Sequence, residues 1–168
     1  MRAMLALTLM MGLGGAAMAA TLPPAGDKVQ AALPMNVCAV GTFNGRYVVL
    51  LEDASGKLRL PIGIGALEAN AIDMRLNHVK FPRPLTHDLL ETVVARLGAR
   101  IERIEVVDLR DEVYFGRLTL RDANGKSLVI DARPSDLTSL ALGAGLPIYV
   151  AREVVAKAAL DAAMLPTP

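Results

Sequence analysis

The chain has 168 residues, of which 53% are hydrophobic, and it carries 18 basic and 17 acidic side chains. This length predicts one domain with enough apolar residues for a sizeable core. The near-neutral balance lacks the basic excess that is typical of nucleic-acid-binding proteins, so only a local basic patch would support that function. The single cysteine, Cys38, excludes an internal disulfide bond, and its apolar neighbours predict a buried thiol.

The N-terminal residues have the pattern of a secretion signal. Arg2 gives a charged start, an apolar run follows over Met4–Met11, and Ala17 and Ala19 fit a small-x-small cleavage site. The apolar run is shorter than the roughly 20 residues that a spanning helix needs. We therefore expect a signal peptide over residues 1–19, a periplasmic or secreted protein, and no membrane span once the signal is removed.

The rest of the chain is expected to form a linker and one domain. Residues 20–35 are rich in proline and predict a flexible linker, so the domain should occupy residues 36–168. Apolar runs, some of them alternating with polar residues, predict strands at Asn36–Phe43, Arg46–Glu52, Leu58–Ile64, Ile101–Leu109, Val113–Arg121 and Ser127–Ala132. In the last of these strands, Leu128 and Ile130 are expected to face the core.

Four segments have the apolar spacing of helices. They are Ala66–Leu76, a second helix capped by Thr86 and ended by Gly98, a third with Pro134 at its first position and a stop at Gly143 and Gly145, and an alanine-rich one over about Arg152–Met164. The second helix is expected to bury a stripe formed by Leu89, Leu90, Val93, Val94 and Leu97. Since the strands follow one another in hairpins, we expect a single α+β domain with a mostly antiparallel or mixed β-sheet and covering helices.

The sequence contains none of the common catalytic motifs considered next. The sequence has no phosphate loop, no two-cysteine zinc pair, no helical His-Glu-x-x-His and no Gly-x-Ser-x-Gly. Acids and arginines do cluster at two predicted helix starts, at Arg83–Asp88 and Asp131–Asp136. One interpretation is structural, with Asp136 capping a helix and pairing with Arg133. The other is that these groups form a functional site.

Motifs spread over about 48–155 resemble those of the bifunctional nuclease domain family, small domains ascribed both DNase and RNase activity. The motifs are Leu60-Pro61-Ile62 with Gly65, Glu68-Ala69-x-Ala71-Ile72, Pro82-Arg83-Pro84-Leu85-Thr86-His87-Asp88-Leu89-Leu90, Asp108-Leu109-Arg110-Asp111, and Asp131-Ala132-Arg133-Pro134-Ser135-Asp136 with Ala144-x-x-Pro147-Ile148-Tyr149-Val150. The chain departs from the family pattern at Gly63, where a larger residue is usual. It departs again at Glu112, where glycine is usual, so the turn there should be altered.

The resemblance implies a nuclease-like domain that hydrolyses phosphodiester bonds of single-stranded DNA or RNA with low sequence specificity. The N-terminal signal, which is not typical of the family, adds the expectation that this domain is exported. Carboxylates that hold Mg²⁺ or Mn²⁺ would activate water and neutralise charge, and arginine would bind the phosphate. The catalytic residues implied are Asp136, Asp131, Glu68, Asp88 and His87. The metal ligands implied are Asp136, Asp131 and Glu68. The substrate-binding residues implied are Arg133, Arg83, Ser135 and Thr86.

A second reading stays open at this point, in which the chain is a non-catalytic oligomeric binding module of the same fold. The neutral charge and the small number of aromatic side chains available for base stacking favour this reading, whereas the family resemblance favours the enzyme. We expect a homo-oligomer in either case, because the chain offers more apolar surface than one small domain easily covers.

Overall fold

The computed structural model describes residues 32–161 of the chain. The signal peptide expected over residues 1–19 and most of the expected linker lie outside the described residues. Within this range the elements are β1 (Leu33–Phe43), β2 (Arg46–Asp53), β3 (Leu58–Gly63), α1 (Ala66–Leu76), α2 (Thr86–Arg96), β4 (Arg100–Arg110), β5 (Val113–Arg121), β6 (Ser127–Ala132), α3 (Pro134–Ala144), β7 (Ile148–Val150), α4 (Arg152–Ala158) and β8 (Leu160–Asp161).

The strands form one mixed sheet with the order β6-β5-β4-β7-β1-β2-β3-β8. The neighbouring strands are antiparallel in every pair except β4 and β7, which run parallel. The parallel pair arises because α3 carries the chain back before β7 begins, whereas the other neighbours are mostly joined by hairpins. This architecture confirms the expected α+β domain with a mixed sheet and covering helices. No helix in the described part of the chain is long and apolar enough to cross a membrane.

The sheet curls so that its two halves meet at one end. The Tyr114 hydroxyl on β5 donates a hydrogen bond to the Pro61 carbonyl on β3 over 3.0 Å, although four strands lie between them in the sheet order. Pro61 can sit in β3 because its missing N–H faces the side that β8 leaves unpaired. The curl brings the β4–β5 turn close to the end of β3, and a groove forms there.

The core lies between the sheet and the helices α1, α3 and α4. Its largest fully buried side chains come from five strands and two helices, namely Met35, Val49, Leu51, Leu60, Ile62, Ile72, Ile104, Val106, Leu137, Leu140, Ile148 and Val150. Each large apolar side chain contributes about 1.5–3 kcal/mol when fully buried. Gly116 on β5 lets α3 come close, because a Cβ there would clash with Leu137 and with the Ala132 carbonyl. The start of α3 is thereby fixed against the sheet.

Two predicted boundaries are wrong. The linker expected over 20–35 ends earlier, since β1 begins at Leu33 and Met35 is fully buried. The final helix ends at Ala158 rather than Met164, and β8 follows it and pairs with β3. The alanine content reports only local helix propensity, whereas the free edge of β3 offers backbone hydrogen bonds that favour a strand.

The expected burial of α2 and β6 is also wrong. No residue of α2 is buried, and its predicted core stripe includes Leu89 at 59% and Leu97 at 76% exposure. On β6, Leu128 and Ile130 are 40% and 42% exposed. Helical spacing shows which residues share a face but not whether another element covers that face. Because β6 is an edge strand and α2 packs mainly on α3, this apolar surface remains open.

Candidate functional site

The start of α3 pairs an arginine with an aspartate. Arg133 takes the extended backbone of an N-cap, Pro134 opens the helix as expected, and Asp136 follows in the first turn. Arg133 donates from Nε to Asp136 Oδ2 over 2.8 Å and from Nη2 to Asp136 Oδ1 over 3.1 Å. This fork of two parallel hydrogen bonds is the strong arrangement of an arginine with a carboxylate.

The same guanidinium reaches a second carboxylate, on α1. Arg133 Nη1 donates to Glu68 Oε1 over 3.0 Å. Glu68 lies in the first turn of α1, and its carboxylate folds back over Gly65, where a Cβ would collide with it. Glycine at position 65 therefore allows this side-chain position, and Arg133 bridges the starts of α1 and α3.

A histidine from a third helix start completes the site. His87, in the first turn of α2, places Nε2 at 3.3 Å from Asp136 Oδ1. Because an ionised carboxylate only accepts hydrogen bonds, Nε2 carries the proton and Nδ1 of the neutral ring is an acceptor. We name the group formed by Glu68, His87, Arg133 and Asp136 the Arg133 cluster. It sits where the first turns of three helices meet, which favours anions.

The electrostatics keep Asp136 ionised. Partial burial raises the pKa of this carboxyl group, but hydrogen bonds and charge from Arg133 and His87 outweigh it, and the pKa lies below its ordinary value of 3.8. The two carboxylates beside it raise the already high pKa of Arg133 further, mainly through the hydrogen bonds from Asp136. The Arg133 side chain is nevertheless 65% exposed, so solvent and ligands reach it.

The donor set does not fit a divalent metal as it is arranged. The guanidinium of Arg133 occupies the position between Glu68 and Asp136 that a cation would need. Over residues 32–161, no three His, Cys, Asp or Glu side chains come close enough together to hold a metal ion. Asp131, the third ligand implied by the resemblance, does not join them.

Asp131 lies on the other side of the sheet. In β6 it stands opposite Arg117 of β5, and its neighbour Ala132 stands opposite Gly116. Gly116 faces Leu137 of α3, so the alternation of side chains directs Asp131 away from α3. The structure therefore separates Asp131 from Asp136, although five positions of sequence link them.

Asp88 belongs to a different ionic group. Its Oδ1 accepts from Arg75 Nη2 over 2.5 Å, and its Oδ2 accepts from the Leu85 backbone N–H over 2.8 Å. Arg75 Nη1 also donates to Glu91 Oε1 over 2.7 Å and to the Ser139 carbonyl over 2.9 Å. We name Arg75, Asp88, Glu91 and the Ser139 carbonyl the Arg75 cluster. It ties α1, α2 and α3 together, and it fixes the start of α2 next to His87.

The other residues that the resemblance implies for substrate binding do not lie together. Ser135 is buried and lines the groove described below. Thr86 is exposed at the first position of α2, where Leu85 rather than Thr86 is the N-cap. Arg83 is exposed in the loop before α2 and makes no hydrogen bond or ion pair with the described part of the chain. Only Ser135 is thus placed directly beside Arg133.

A groove of about 700 Å³ opens beside the Arg133 cluster. Its walls come from the β1–β2 turn, the end of β3, the β4–β5 turn and the start of α3, and they include Arg46, Tyr47, Gly63, Glu112, Tyr114, Glu68, Arg133 and Ser135. No motif in the sequence marked Arg46, Tyr47 or Tyr114 as residues of the site. The turn pair Asn44-Gly45, with positive φ at both residues, was a usable signal for this wall.

The departure at Glu112 has a local consequence. Asp111 and Glu112 form the two-residue turn between β4 and β5, with φ values of 49° and 62°. Glycine takes this left-handed conformation freely, whereas a residue with a Cβ is strained there by about 1–2 kcal/mol. Glu112 thus takes a left-handed turn conformation at some cost in stability, and its acidic side chain lines the groove.

The exposed guanidinium lies where three helices start, and it is suited to binding a phosphate group. The His–Asp pair beside it is suited to activating a nucleophile. The model of the bifunctional nuclease domain family matches residues 49–163. The chain belongs to this family, which confirms the resemblance drawn from its motifs.

The chain is also similar in sequence to individual proteins. The chain is 41% identical over 113 residues to an uncharacterized protein of Mycobacterium tuberculosis, covering 67% of this chain and 66% of the relative. It is 25% identical over 123 residues to bifunctional nuclease 1 of Oryza sativa subsp. japonica, covering 72% of this chain and 37% of that protein. For bifunctional nuclease 2 of the same plant, the identity is 25% over 109 residues, 64% of this chain and 33% of the relative. The match thus spans just under two thirds of the mycobacterial protein and about a third of the rice proteins.

Proposed function

We propose that the chain is a nuclease domain of low sequence specificity, which hydrolyses phosphodiester bonds of single-stranded DNA or RNA at the Arg133 cluster. Family membership and the rice relatives named bifunctional nucleases support the reaction class. The observation that carries the choice of site is the geometry of Arg133, which is 65% exposed while its guanidinium lies beside the His87–Asp136 pair. Arg83 and Thr86, near the start of α2, are proposed to contact the substrate away from the reacting phosphate.

The phosphate would bind at the guanidinium. Arg133 presents planar donors that match two phosphate oxygens, and the surrounding helix starts favour an anion. Glu68 now occupies one of these donors, so an incoming phosphate replaces Glu68 and leaves its carboxylate free beside the reacting group. Binding of substrate therefore exchanges one anion for another without leaving the guanidinium unpaired.

Proton transfer is assigned to His87. Asp136 accepts from Nε2 and fixes the tautomer and the ring orientation. Nδ1 is left as the acceptor, and it makes no hydrogen bond with any other described residue. It can therefore take a proton from an attacking water, whose oxygen forms the new bond to phosphorus while the bond to the leaving ribose oxygen breaks and that oxygen takes a proton from solvent. Such a general base is typically worth about 10²–10⁴-fold in rate.

The experiment is a cleavage assay of the full chain on fluorescently labelled single-stranded DNA and RNA, with Mn²⁺, with Mg²⁺ and with EDTA. We expect wild-type cleavage that survives EDTA, because Arg133 holds the place of a metal. We expect His87→Gln to lose about a hundredfold in rate, while His78→Gln, an exposed histidine before α2, cleaves normally. Strict dependence on Mn²⁺ or Mg²⁺ would restore the metal-assisted mechanism that the resemblance implies.

The non-catalytic reading keeps one specific support, which is the open apolar surface on α2 and β6. It includes Leu89, Leu90, Val93 and Leu97 at α2, and Leu128 and Ile130 on one face of β6, each at least 40% exposed. A surface of this kind supports self-association, so we propose a homo-oligomer, whether or not the domain is catalytic. Light scattering should show more than a monomer, and Leu89→Glu should shift the protein towards the monomer. Oligonucleotide binding without cleavage under every metal condition would favour the binding module.

Export is proposed from the N-terminal pattern alone, with a periplasmic or secreted mature protein. Mass spectrometry of the protein from its natural host should find a mature N-terminus next to Ala19 or Ala20. Mature protein that keeps Met1 would contradict export through this signal.

A further inference from the structure

We propose that the groove beside the Arg133 cluster holds a second phosphate subsite, formed by Arg46, and that it takes a single nucleic-acid strand of several nucleotides. This inference rests on the proposed function, because Arg133 is taken as the first phosphate subsite. It adds a ligand contact on the β1–β2 hairpin, and it predicts that affinity increases with strand length.

The hairpin is fixed next to the cluster by backbone hydrogen bonding. The Ile64 N–H donates to the Tyr47 carbonyl over 2.9 Å, so the start of β2 lies beside the segment that ends at Gly65. The Glu68 carboxylate, which Arg133 binds, lies over Gly65. Arg46 and Arg133 therefore line one continuous groove, on strand and helix elements that are held in place.

The charge of Arg46 is available for a ligand. The Arg46 side chain is exposed and has no hydrogen bond or ion pair with any residue that the structure describes. Arg133 and Arg75, in contrast, are each bonded to two carboxylates. An uncommitted guanidinium on a groove wall can form a bidentate contact with a phosphate without first losing a partner.

The floor of the groove suits a flat, uncharged group between two phosphates. No atom lies within 4 Å of the Cβ that a side chain at Gly63 or Gly45 would add, so the backbone there is open. Tyr47 is 47% exposed and also lines the groove, and tyrosine rings stack on bases without sequence preference. Tyr114 forms a fixed wall, because its hydroxyl is bonded to the Pro61 carbonyl.

One side chain opposes an anionic ligand, and this gives the inference a second test. Glu112 lines the same groove and is exposed. It has no ion pair within the described part of the chain, so its charge should weaken the binding of a strand. Removal of the two charges, at Arg46 and at Glu112, should therefore change affinity in opposite directions.

The experiment measures binding of phosphorothioate oligothymidylates by fluorescence anisotropy, with the full chain and at several salt concentrations. We expect Arg46→Gln to weaken binding of an eight-nucleotide strand about three- to tenfold, and to reduce the salt slope by about one. Binding of a dinucleotide should not change, and Glu112→Gln should tighten binding of the longer strand. Arg96→Gln is the matched control, since Arg96 is an exposed arginine at the end of α2, outside the groove.

Two results would overturn the inference. If Arg46→Gln binds both strands like the wild type while Arg133→Gln loses binding, the second subsite is wrong and the proposed function stands. If Arg46→Gln weakens the dinucleotide as much as the longer strand, Arg46 is part of the first subsite. Normal binding by both variants would instead remove the Arg133 site and the proposed function together. Thermal melting of each variant separates lost binding from lost folding.

Discussion

Two arginines in this molecule make nearly the same set of bonds but differ in their surroundings. Arg133 bridges Glu68 and Asp136, and Arg75 bridges Asp88 and Glu91. The Arg133 side chain is 65% exposed, whereas that of Arg75 is 12% exposed. Arg75 also bonds to the Ser139 carbonyl.

The difference in burial decides what each cluster can do. An exposed ion pair contributes little to stability, since water and salt screen it, and a ligand can replace one of its partners. The Arg75 guanidinium, in contrast, is almost covered and also bonds to a helix carbonyl, so a ligand does not reach it, although Asp88 and Glu91 keep contact with water. The Arg133 cluster is therefore suited to binding and exchange, and the Arg75 cluster to holding three helices in place.

The largest expected effect follows from removal of Arg75. Arg75→Met should lower the free energy of unfolding by about 1–2 kcal/mol, because the covered guanidinium donates to Asp88, Glu91 and the Ser139 carbonyl and so joins three helices. Arg133→Met should lower it by less than about 1 kcal/mol. Urea unfolding followed by circular dichroism measures both values. Equal losses would mean that burial does not separate the two clusters.

A smaller effect is expected at Gly143, which lies against the Arg75 cluster. A Cβ on Gly143 would meet the Glu91 carboxylate and the Arg75 guanidinium, which are the ends of two flexible side chains, so Gly143→Ala should displace them and cost about 0.5–1 kcal/mol despite the better helix propensity of alanine. In the Arg75→Met background the same substitution should cost much less. Gly41→Ala is the control, since its Cβ would meet no atom within 4 Å. Full additivity of the two changes would contradict the contact.

The smallest expected effect concerns acid stability at the Arg133 cluster. Arg133 and His87 outweigh partial burial and hold the pKa of Asp136 below 3.8 in the folded protein. The pairing therefore stabilises the fold above that pH, and its contribution is lost as the pH falls through the lowered pKa. Asp136→Asn should therefore lower the stability slightly at pH 7 to 8, and the difference from the wild type should shrink as the pH falls below about 4. A difference that grows as the pH falls would contradict the assigned sign.

Local patterns were sufficient to predict much of the fold. The bounds of α1 match the prediction, Pro134 opens α3, and Gly145 ends it with a φ of 64°. These features depend on neighbours in sequence, through helix spacing, proline geometry and the left-handed conformation of glycine. The hairpin strands were predictable for the same reason.

The burial of α2 and the composition of the site depended on contacts between distant residues. Asp131 and Asp136 are close in sequence, yet the alternation along β6 and the position of α3 send them to opposite sides of the sheet. The charged residues at 83–88 divide between two clusters in space, since His87 contacts Asp136 and Asp88 contacts Arg75. Cys38, expected to be buried, is only half-buried beside a small apolar group on β1 and β2. Strand order and helix packing decide such points.

The most direct test compares two aspartates in the same assay, Asp136→Asn and Asp88→Asn. Asp136→Asn should lose at least about a hundredfold in cleavage of single-stranded RNA or DNA, while its unfolding midpoint at neutral pH falls only slightly. Asp88→Asn should lose more stability but, below its melting temperature, cleave within a few-fold of the wild type. A folded but inactive Asp88→Asn together with an active Asp136→Asn would contradict the division between the catalytic Arg133 cluster and the structural Arg75 cluster.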